Sequence, residues 1–480
     1  MSAMDFDEEN NHEMTPLVQA LCQQIGRVSF HMPGHRQGIG FPYLFSPGLA
    51  CLDTTELGGT GDLAAPSGHV LEAYRLAAQF FGAKESWIIT SGTTASIFIM
   101  MAGPLREGDQ IIIPRAVHMA AVHAVAVLGL IPIFVDSEED KTFPDGQPNT
   151  QSFIETIERY PSARACFVTR PDYYGRTIDL APIAQAAHRL GMTLLVDEAH
   201  GAHFAAAPDL LPATALAQGA DITCQSAHKT LPALTPASFL HISRAAIDNH
   251  RIDHERVSQM VKIFQTSSPS FLIAATADAA RSMVACEGHD RIKYLIRQNA
   301  DLCEKLPDHY RRVLPTDADP TRLVLDYSAT GLDRLHFLSV LDSAGIDAEL
   351  VDSNRVVFLP ALDQSEEDYR RLSETLRAIK PETDQRRLTQ HQDKLDSLTA
   401  QRDKLLSAPA GFELTVRQSL FGRRDFVQHA GKNIATQTIA PYPPGMPIVW
   451  PGEIISDEHR IYMNMLEAEG IAQRGVPLSF

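Results

Sequence analysis

Two acidic residues, Asp197 and Glu198, follow an apolar run in the stretch LLVDEAHGAH, which spans residues 194–203. An apolar run of this length is typical of a buried strand. Polar residues at the carboxyl end of such a strand face a ligand crevice in open α/β sheets. Three kinds of site use an acid in this position: the Mg²⁺ site of a nucleotide hydrolase, a metal centre with histidines, and the site of an organic cofactor.

The remaining sequence argues against a nucleotide hydrolase. D-E-A-H at the end of a strand is similar to the Mg²⁺-binding strand of helicases, but those enzymes also need a G-x-x-x-x-G-K-[ST] loop to hold phosphates. The one Gly-Lys pair, Gly431-Lys432, is followed by Asn433 and has no glycine at the required upstream spacing. The chain carries 42 basic and 59 acidic residues, and its net charge of −17 argues against a nucleic-acid partner.

A metal centre is the second alternative, and the histidine spacing gives it little support. His200 and His203 are three residues apart, with Asp197 close by, and could share one face of a helix. The stretch HMPGHRQG holds two more histidines four residues apart, but the Pro-Gly pair between them prevents a regular helix. No H-E-x-x-H arrangement occurs, and the 19 histidines of the chain create chance pairs. We therefore predict no metal site.

Pyridoxal 5′-phosphate is the organic cofactor that accounts for most of these residues. Its chemistry needs a lysine for the Schiff base, a carboxylate that keeps the pyridine nitrogen protonated, a phosphate cradle and a group that stacks on the ring. SGTTAS, at residues 91–96, predicts a helix N-terminus that would favour a phosphate. Taken singly, a Ser/Thr cluster is usually an N-cap and a lysine is usually a solvated charge. The prediction of a pyridoxal-phosphate site depends on several such residues that follow successive strands in chain order. They are Gly92, His118, Asp197, Ser226, His228 and Lys229.

Seven short apolar runs between Trp87 and about Ile242 would position these residues. They are WIIT, QIIIP, IPIFV, ACFVT, TLLVD, DITCQ and SFLHI, beginning at residues 87, 110, 131, 165, 193, 221 and 238. Helix-like stretches lie between several of them, at 116–128, 151–159 and 180–190. This alternation predicts an α/β fold with a mainly parallel, seven-stranded sheet that is covered on both faces.

A smaller α+β region is predicted after about residue 310. Strand-like runs at 322–327 and 355–360 alternate with helical stretches at 333–344 and 365–378, and the polar stretch 388–406 predicts a surface helix. We predict an N-terminal arm at residues 1–30, a cofactor-binding domain at 31–310 and a C-terminal α+β domain at 311–480.

The composition predicts a cytoplasmic protein. Hydrophobic residues make up 44% of the chain, and the six cysteines include no C-x-x-C pair, which is typical of reduced thiols. The acidic opening MSAMDFDEENNHEM has no apolar core of a signal peptide, and no run reaches the ~18 apolar residues of a membrane span. We therefore expect neither a secreted nor a membrane protein.

Several longer motifs closely resemble those of the bacterial ornithine/lysine/arginine decarboxylase family. They are HMPGHRQG, DTTELGGTGDLAAPSG, SGTTAS, DYYGRTIDL, LLVDEAHGAHF, SAHKTLPALTPASFLH, QTSSPSF and PYPPGMPIVWPGE, and the similarity covers roughly residues 28–460. The chain resembles the short members, without the receiver-like N-terminal domain of the large ones. The resemblance implies an aspartate-aminotransferase-like large domain of fold type I. It also implies pyridoxal-phosphate-dependent decarboxylation of a basic L-amino acid, with arginine favoured over lysine and ornithine, in polyamine metabolism.

The same resemblance assigns residue roles. Lys229 resembles the Schiff-base lysine, Asp197 the partner of the pyridine nitrogen, and His118 the histidine that stacks on one ring face. Ala199 would pack against the other face. The remaining predicted cofactor-binding residues are Gly92, Thr93, Thr94, His200, Ser226 and His228.

A homodimer with shared active sites is also implied. Thr266 or Ser267, in QTSSPSF, resembles a phosphate contact that the neighbouring subunit donates. The alternative for both residues is an N-cap of the alanine-rich helix predicted from about Phe271.

The substrate's cationic tail would need an acid, and three are candidates. They are Glu56, Asp62 and Glu453, and the alternative for each is to cap a turn or to pair with an arginine. Two departures from the family pattern bear on substrate choice. Ser91 stands where asparagine is frequent, and Met119-Ala120 stands where Lys-Ser is frequent, which removes two polar groups beside the ring. Met119 and Ala120 therefore leave open a catalytically weak cofactor-binding regulator. An aminotransferase or another lyase on the same fold is a further alternative.

Overall fold

The structure is a computed structural model, and it describes residues 28–30, 61–136, 147–315, 317–406, 411–422, 433–442 and 445–474. Most of the predicted N-terminal arm lies outside these residues. The strands in chain order are β1 Val28–Phe30, β2 Glu85–Ile89, β3 Gln110–Ile113, β4 Ile131–Phe134, β5 Ala165–Thr169, β6 Thr193–Asp197, β7 Ile222–Ser226, β8 Ser238–Ile242, β9 Arg311–Arg312, β10 Leu323–Asp326, β11 Ile346–Ala348, β12 Leu350–Val351, β13 Arg355–Phe358, β14 Ala440–Tyr442 and β15 Ala472–Arg474.

The α-helices surround these strands. In chain order they are α1 Gly68–Phe81, α2 Gly92–Ala102, α3 Met119–Leu128, α4 Thr150–Arg159, α5 Ala181–Arg189, α6 Ala227–Thr230, α7 Arg244–Asp248, α8 His254–Phe264, α9 Phe271–Lys305, α10 Arg334–Ser343, α11 Glu366–Ala378, α12 Gln385–Leu406, α13 Val416–Phe421 and α14 Asp457–Ala468. None of these helices is both long enough and apolar enough to cross a membrane.

The large sheet contains all seven predicted strands. Its order is β2-β8-β7-β6-β5-β3-β4, and every neighbouring pair is parallel except the two pairs that include β8. Every residue of β6, β7 and β8 is buried. Strands that are covered on both faces read as continuous apolar runs, which is why the sequence pattern was clear. The predicted α/β fold with a mainly parallel sheet is confirmed.

The carboxyl ends of the parallel strands meet at one edge of this sheet. β6 ends at Asp197, and β7 runs directly into the short helix α6, which carries Lys229. α2 begins at Gly92, soon after β2. Gly92 has a φ of +77°, and a Cβ there would lie 3.1 Å from Cβ of Pro236, so this turn favours glycine.

The C-terminal region forms a small antiparallel sheet of order β12-β13-β10-β9. The predicted strands at 322–327 and 355–360 correspond to β10 and β13, and the predicted helices at 333–344 and 365–378 correspond to α10 and α11. The predicted surface helix at 388–406 is α12, which buries one apolar face against α14. β1 pairs in parallel with β11, so the end of the predicted arm joins the C-terminal region. The domain boundary near residue 310 stays a prediction.

Candidate active site

One cavity lies at the carboxyl ends of the central strands. It encloses about 610 Å³, part of which is open to solvent. Six of the residues predicted from the sequence line it: Thr93, His118, Asp197, Ala199, His200 and Lys229. Residues that are up to 136 positions apart in sequence therefore meet at one place (229 − 93 = 136).

Lys229 presents its amine to the cavity from helix α6. Nζ of Lys229 lies 3.0 Å from Nε2 of His200. Burial lowers the pKa of Lys229, and the nearby carboxylates of Asp197 and Glu349 oppose that shift. The lysine is therefore closer to its neutral, nucleophilic form than a solvated lysine would be.

Asp197 is a buried carboxylate, and only one of its two oxygens accepts a hydrogen bond from the described residues. Its Oδ1 accepts a hydrogen bond from the backbone N of Ala199 at 3.1 Å and lies 3.8 Å from Sγ of Cys224. Within the described residues no donor reaches Oδ2. Burial raises the pKa of Asp197, and Lys229 lowers it. A buried acid of this kind is suited to a cationic partner that enters the cavity.

The predicted phosphate cradle is present only in part. Oγ1 of Thr93 lies 3.0 Å from Oγ of Ser226 at the N-terminus of α2, and Thr93 faces the cavity. Ser226 is fully buried, so it supports the hydroxyl of Thr93. Thr94 is exposed, and Nδ1 of His228 lies 3.0 Å from the carbonyl oxygen of Ala237. Neither Thr94 nor His228 lines the cavity.

His118 is the N-cap of α3. Its Nδ1 accepts a hydrogen bond from the backbone N of Ala120 at 3.1 Å, so a neutral ring carries its proton on Nε2. His203, which the metal alternative paired with His200, lies 3.2 Å from Asp319 through its Nε2. The two rings therefore serve different partners.

Two of the three acids proposed for the substrate tail, Asp62 and Glu453, do not line the cavity. Nη1 of Arg115 lies 2.8 Å from both carboxylate oxygens of Glu453, and the backbone N of Trp450 also donates to Glu453. Oδ1 of Asp62 accepts from the backbone N of Ala64 at 2.7 Å, as in a local turn. Glu56 lies outside the described residues. Asp62 therefore caps a turn and Glu453 pairs with an arginine, which are the alternatives that the sequence left open.

The QTSSPSF segment also lies away from the cavity of its own chain. Thr266 and Ser267 are exposed, and neither lines the cavity. The helix that was predicted from about Phe271 begins there as α9, but its cap is Ser270, whose Oγ accepts from the backbone N of Ile273. The two hydroxyl residues thus do not cap α9.

Sequence reasoning missed several residues that surround the site. Tyr173 lines the cavity, and its hydroxyl donates to Oε1 of Glu349 at 2.6 Å. Thr169, at the end of β5, also lines the cavity, and its buried Oγ1 has no hydrogen-bond partner among the described residues. Arg322 lies behind His200, with Nη2 2.8 Å from Nδ1. Tyr173 lies within the quoted motif DYYGRTIDL, to which no role was assigned, and strand-end position was the signal available for Thr169.

Comparison with known families agrees with this geometry. The family described as Orn/Lys/Arg decarboxylase, major domain, matches residues 15–321, and its C-terminal domain matches residues 424–477. The chain belongs to the Orn/Lys/Arg decarboxylase family. It is therefore an amino-acid decarboxylase. A TM-score of 0.51 to an alanine–glyoxylate aminotransferase from Nostoc sp., at 17% identity and covering 66% of this chain and 89% of that one, confirms the predicted aminotransferase-like fold.

Relatives of this decarboxylase match along nearly its whole length. The chain is 34% identical to the Bacillus subtilis protein YaaO over 468 residues, which cover 92% of each chain. It is 31% identical to an arginine decarboxylase of Bacillus subtilis, with 95% of this chain and 94% of the relative covered. Among solved structures, lysine decarboxylase A from Pseudomonas aeruginosa has a TM-score of 0.72 at 18% identity, covering 94% of this chain and 71% of that one.

One of the two departures from the family pattern, Met119-Ala120, lies at the start of α3. Met119 is the first residue of the helix and is half-buried, and the side chain of Ala120 is buried. The backbone N of Ala120 still donates to His118, so the cap does not depend on the side chain at position 120. This departure therefore leaves the orientation of the cavity histidine in place.

Proposed function

We propose that this decarboxylase uses pyridoxal 5′-phosphate to release CO₂ from a basic L-amino acid, and that arginine is its substrate. The observation that carries the proposal is that the amine of Lys229 and the partly satisfied carboxylate of Asp197 face one cavity. The choice of arginine rests on the similarity to the Bacillus subtilis relative named arginine decarboxylase.

The residues at the cavity fit the cofactor. Asp197 offers an oxygen to which no described residue donates, and the buried Oγ1 of Thr169 lacks a partner. Thr93 and the backbone of α2 supply donors at a helix N-terminus, which favours a phosphate dianion. Lys229 supplies the amine for a covalent bond to the cofactor's aldehyde. When bound, the cofactor supplies a protonated pyridine ring that accepts the electron pair left as CO₂ departs.

The chain's own residues have separate tasks in this proposal. Asp197 stabilises a protonated ring nitrogen, because a buried carboxylate favours a cation beside it. His118 and Ala199 would contact the cofactor's ring. The amine of Lys229 would be placed to move a proton to the substrate's Cα and to take part in release of the product amine.

One carboxylate behind the cavity wall suits a cationic substrate tail. Asp172 lines the cavity but is paired with Arg176, so its charge is already compensated. Glu349 accepts the hydroxyl of Tyr173, and its negative charge favours the guanidinium of arginine or the ammonium of lysine and ornithine. The planar, forked guanidinium and the compact ammonium need different acceptor geometry, so the identity of the substrate is an experimental question.

The decisive experiment is a substrate panel with the purified holoenzyme. Arginine, lysine and ornithine are supplied separately, and CO₂ is measured together with agmatine, cadaverine or putrescine. We expect CO₂ and agmatine from arginine, and none from the Lys229→Ala variant. Formation of a keto acid would replace the proposal with an aminotransferase. Silence on all three substrates would favour a cofactor-binding regulator, the alternative raised by Met119 and Ala120.

We infer that the enzyme acts in the cytoplasm, in polyamine metabolism. The four described cysteines, Cys166, Cys224, Cys286 and Cys303, are all unpaired, which suits a reducing compartment. The amine products expected from basic amino acids are di- or polyamine precursors. Growth of a deletion strain with and without added amine product tests this role. We expect the strain to grow poorly and the added amine to restore its growth; normal growth without the gene and without the amine would contradict the role.

We also propose a homodimer in which each subunit completes the partner's site. Thr266 and Ser267 are exposed on a loop that does not reach the cavity of its own chain, which leaves them available to a neighbour. Lys229→Ala subunits are mixed with Thr266→Ala/Ser267→Ala subunits, and exchange is verified. If the sites are shared, each hybrid dimer has one intact site, and recovery reaches about a quarter of wild-type activity at random assortment. No recovery would assign both groups to one chain's site.

A further inference from the structure

His200 is held through both of its ring nitrogens. Nε2 lies 3.0 Å from Nζ of Lys229, and Nδ1 lies 2.8 Å from Nη2 of Arg322. His200 is 6% exposed and Arg322 is 0% exposed, so both side chains lie largely out of bulk solvent. The imidazole therefore bridges a reactive amine and a buried guanidinium.

The chemistry of arginine decides which nitrogen of this ring carries the proton. A guanidinium has N–H donors and no acceptor, and it does not lose its proton in proteins. Nδ1 of His200 must therefore accept from Arg322. A neutral imidazole with an accepting Nδ1 carries its proton on Nε2, which must then donate. Nζ of Lys229 can accept that hydrogen bond only when it has a lone pair.

We propose that Arg322 is a positioning residue for Lys229. By donating to Nδ1, it fixes His200 as the Nε2–H tautomer, and that tautomer stabilises the neutral amine of Lys229 over the ammonium. The inference rests on the proposed function, in which Lys229 bonds to the cofactor's aldehyde. A neutral amine has the lone pair that such an attack requires, whereas an ammonium does not.

The fold makes room for Arg322 and balances its charge. Gly175, with a φ of +87°, passes so close that a Cβ there would overlap Cγ of Arg322. Nε of Arg322 lies 3.6 Å from Oδ2 of Asp319, and Asp319 also contacts His203. The backbone N of Asp319 donates to the carbonyl oxygen of Gly175 at 2.8 Å, which joins the two segments. The position of the guanidinium is therefore fixed from both sides.

Other titratable groups also surround the pair. Asp197, Glu349 and Cys224 act on Lys229 besides Arg322, and His118 and His228 act on His200, whose ring centroid also lies 5.2 Å from that of Tyr173. Burial lowers the pKa of His200 well below its ordinary value, and the positive charge of Arg322 lowers it further. The ring is therefore neutral at physiological pH, as a fixed tautomer requires.

The test measures covalent capture of the cofactor as a function of pH. Full-length protein freed of cofactor is mixed with pyridoxal 5′-phosphate, quenched with borohydride at intervals, and the labelled lysine is quantified by mass spectrometry. In wild type we expect capture at Lys229 with a midpoint below that of an ordinary lysine. Arg322→Met removes both the donor and the charge, and we expect the midpoint to rise by at least about one pH unit, which slows capture about tenfold near neutral pH.

Two further Arg322 variants separate the donor from its charge. Arg322→Lys keeps both, and Arg322→Gln keeps an N–H donor without the charge, so both should keep the midpoint within about half a unit of wild type. A midpoint in Arg322→Gln as high as in Arg322→Met would show that charge alone acts, and would overturn the tautomer assignment. An unchanged midpoint in Arg322→Met would overturn it as well.

Variants of His200 keep the inference testable if Arg322→Met does not fold. His200→Gln can accept from Arg322 through its amide oxygen and donate to Lys229 through its amide nitrogen, which copies the proposed polarity. We expect it to keep the midpoint, and His200→Leu to raise it; equal midpoints for these two variants would overturn the inference. Labelling of another lysine in wild type would instead contradict the proposed function itself.

Discussion

Asp197 and Glu198 are adjacent at the end of β6, yet their environments differ. Glu198 is fully buried, its Oε1 accepts from the backbone N of Ala215 at 2.7 Å, and its Oε2 accepts from Nε2 of Gln225 at 2.8 Å. Nη1 of Arg170 lies 3.5 Å from Glu198 as well. Asp197 faces the cavity with one oxygen to which no described residue donates.

Glu198 belongs to a continuous buried chain of polar groups, which we call the back-side network: Ser86, Arg170, Glu198, Gln225 and His241. His241 contacts Ser86 through Nδ1 at 2.7 Å and Gln225 through Nε2 at 3.3 Å. Buried polar groups with complete partners stabilise a fold, and incompletely satisfied ones indicate a ligand. Both residues are buried acids. They differ in their hydrogen bonds: both oxygens of the structural acid Glu198 have donors, whereas one oxygen of the functional acid Asp197 has none among the described residues.

The largest effect should come from the cavity side. Lys229→Ala removes the amine that bonds to the cofactor, so we expect activity to fall at least about 10³-fold with little change in melting temperature. Borohydride reduction followed by mass spectrometry should find no stable cofactor link. Lys262→Ala, at an exposed lysine, is the matched control and should leave both unchanged. Cofactor-linked activity that survives in Lys229→Ala would contradict the assignment.

The next effect should fall on stability, at the back-side network. At about pH 8, where Glu198 is ionised, Glu198→Ala leaves the buried guanidinium of Arg170 without its carboxylate, and we expect the free energy of unfolding to drop by about 3–5 kcal/mol. Asp197→Ala, measured in the cofactor-free chain, should cost less than about 1 kcal/mol, because it removes a carboxylate that is buried without full compensation. Urea unfolding of both variants measures the difference. Equal losses would remove the distinction between the two acids.

A conservative change at Asp197 should affect rate more than fold. Asp197→Asn keeps the shape but loses the negative charge that stabilises a protonated ring nitrogen, and we expect turnover to fall about 10²- to 10³-fold. Cofactor content should be largely retained. Steady-state kinetics with a parallel measurement of bound cofactor separates the two quantities. Turnover close to wild type would show that this carboxylate has no role in the chemistry.

The smallest effect concerns the pH dependence of stability. Burial raises the pKa of Glu198 to about 7, against the lowering by Arg170 and Gln225. Between pH 4.5 and 7 the folded chain keeps this proton while the unfolded chain has lost it, so the contribution of Glu198 to stability falls as pH rises through that window, by about 2–3 kcal/mol. Glu198→Gln cannot titrate. The difference in unfolding free energy between wild type and this variant should therefore change from pH 5 to pH 7.5, and a constant difference would contradict the shift.

The sequence predicted what local pattern controls. Apolar runs identify buried strands, and Asp197 and Lys229 follow such runs directly, so their arrival at one sheet edge could be predicted from the chain order alone. The start of α9 at Phe271 was predicted for the same reason, because its alanine-rich pattern is local.

Contacts between distant segments could not be predicted in this way. Glu453 and Arg115 are 338 residues apart, and Arg322 and His200 are 122 residues apart. Nothing in the local pattern around Glu453 shows that its charge is already neutralised by a strand-end arginine. The back-side network escaped prediction for the same reason, since its members are ordinary polar residues within apolar runs until the sheet order brings them together.

The pairing of β1 with β11 has a consequence for how the chain is made. Val28 pairs with Ile346, so more than 300 residues separate two strands that share a ladder. During synthesis the first strand leaves the ribosome long before its partner does, while the large sheet between them can already form. β1 stays unpaired until the chain is mostly complete, so we expect the β1–β11 pair to form late in folding. Until then an unpaired strand is open to proteases and to wrong pairing with other nascent chains.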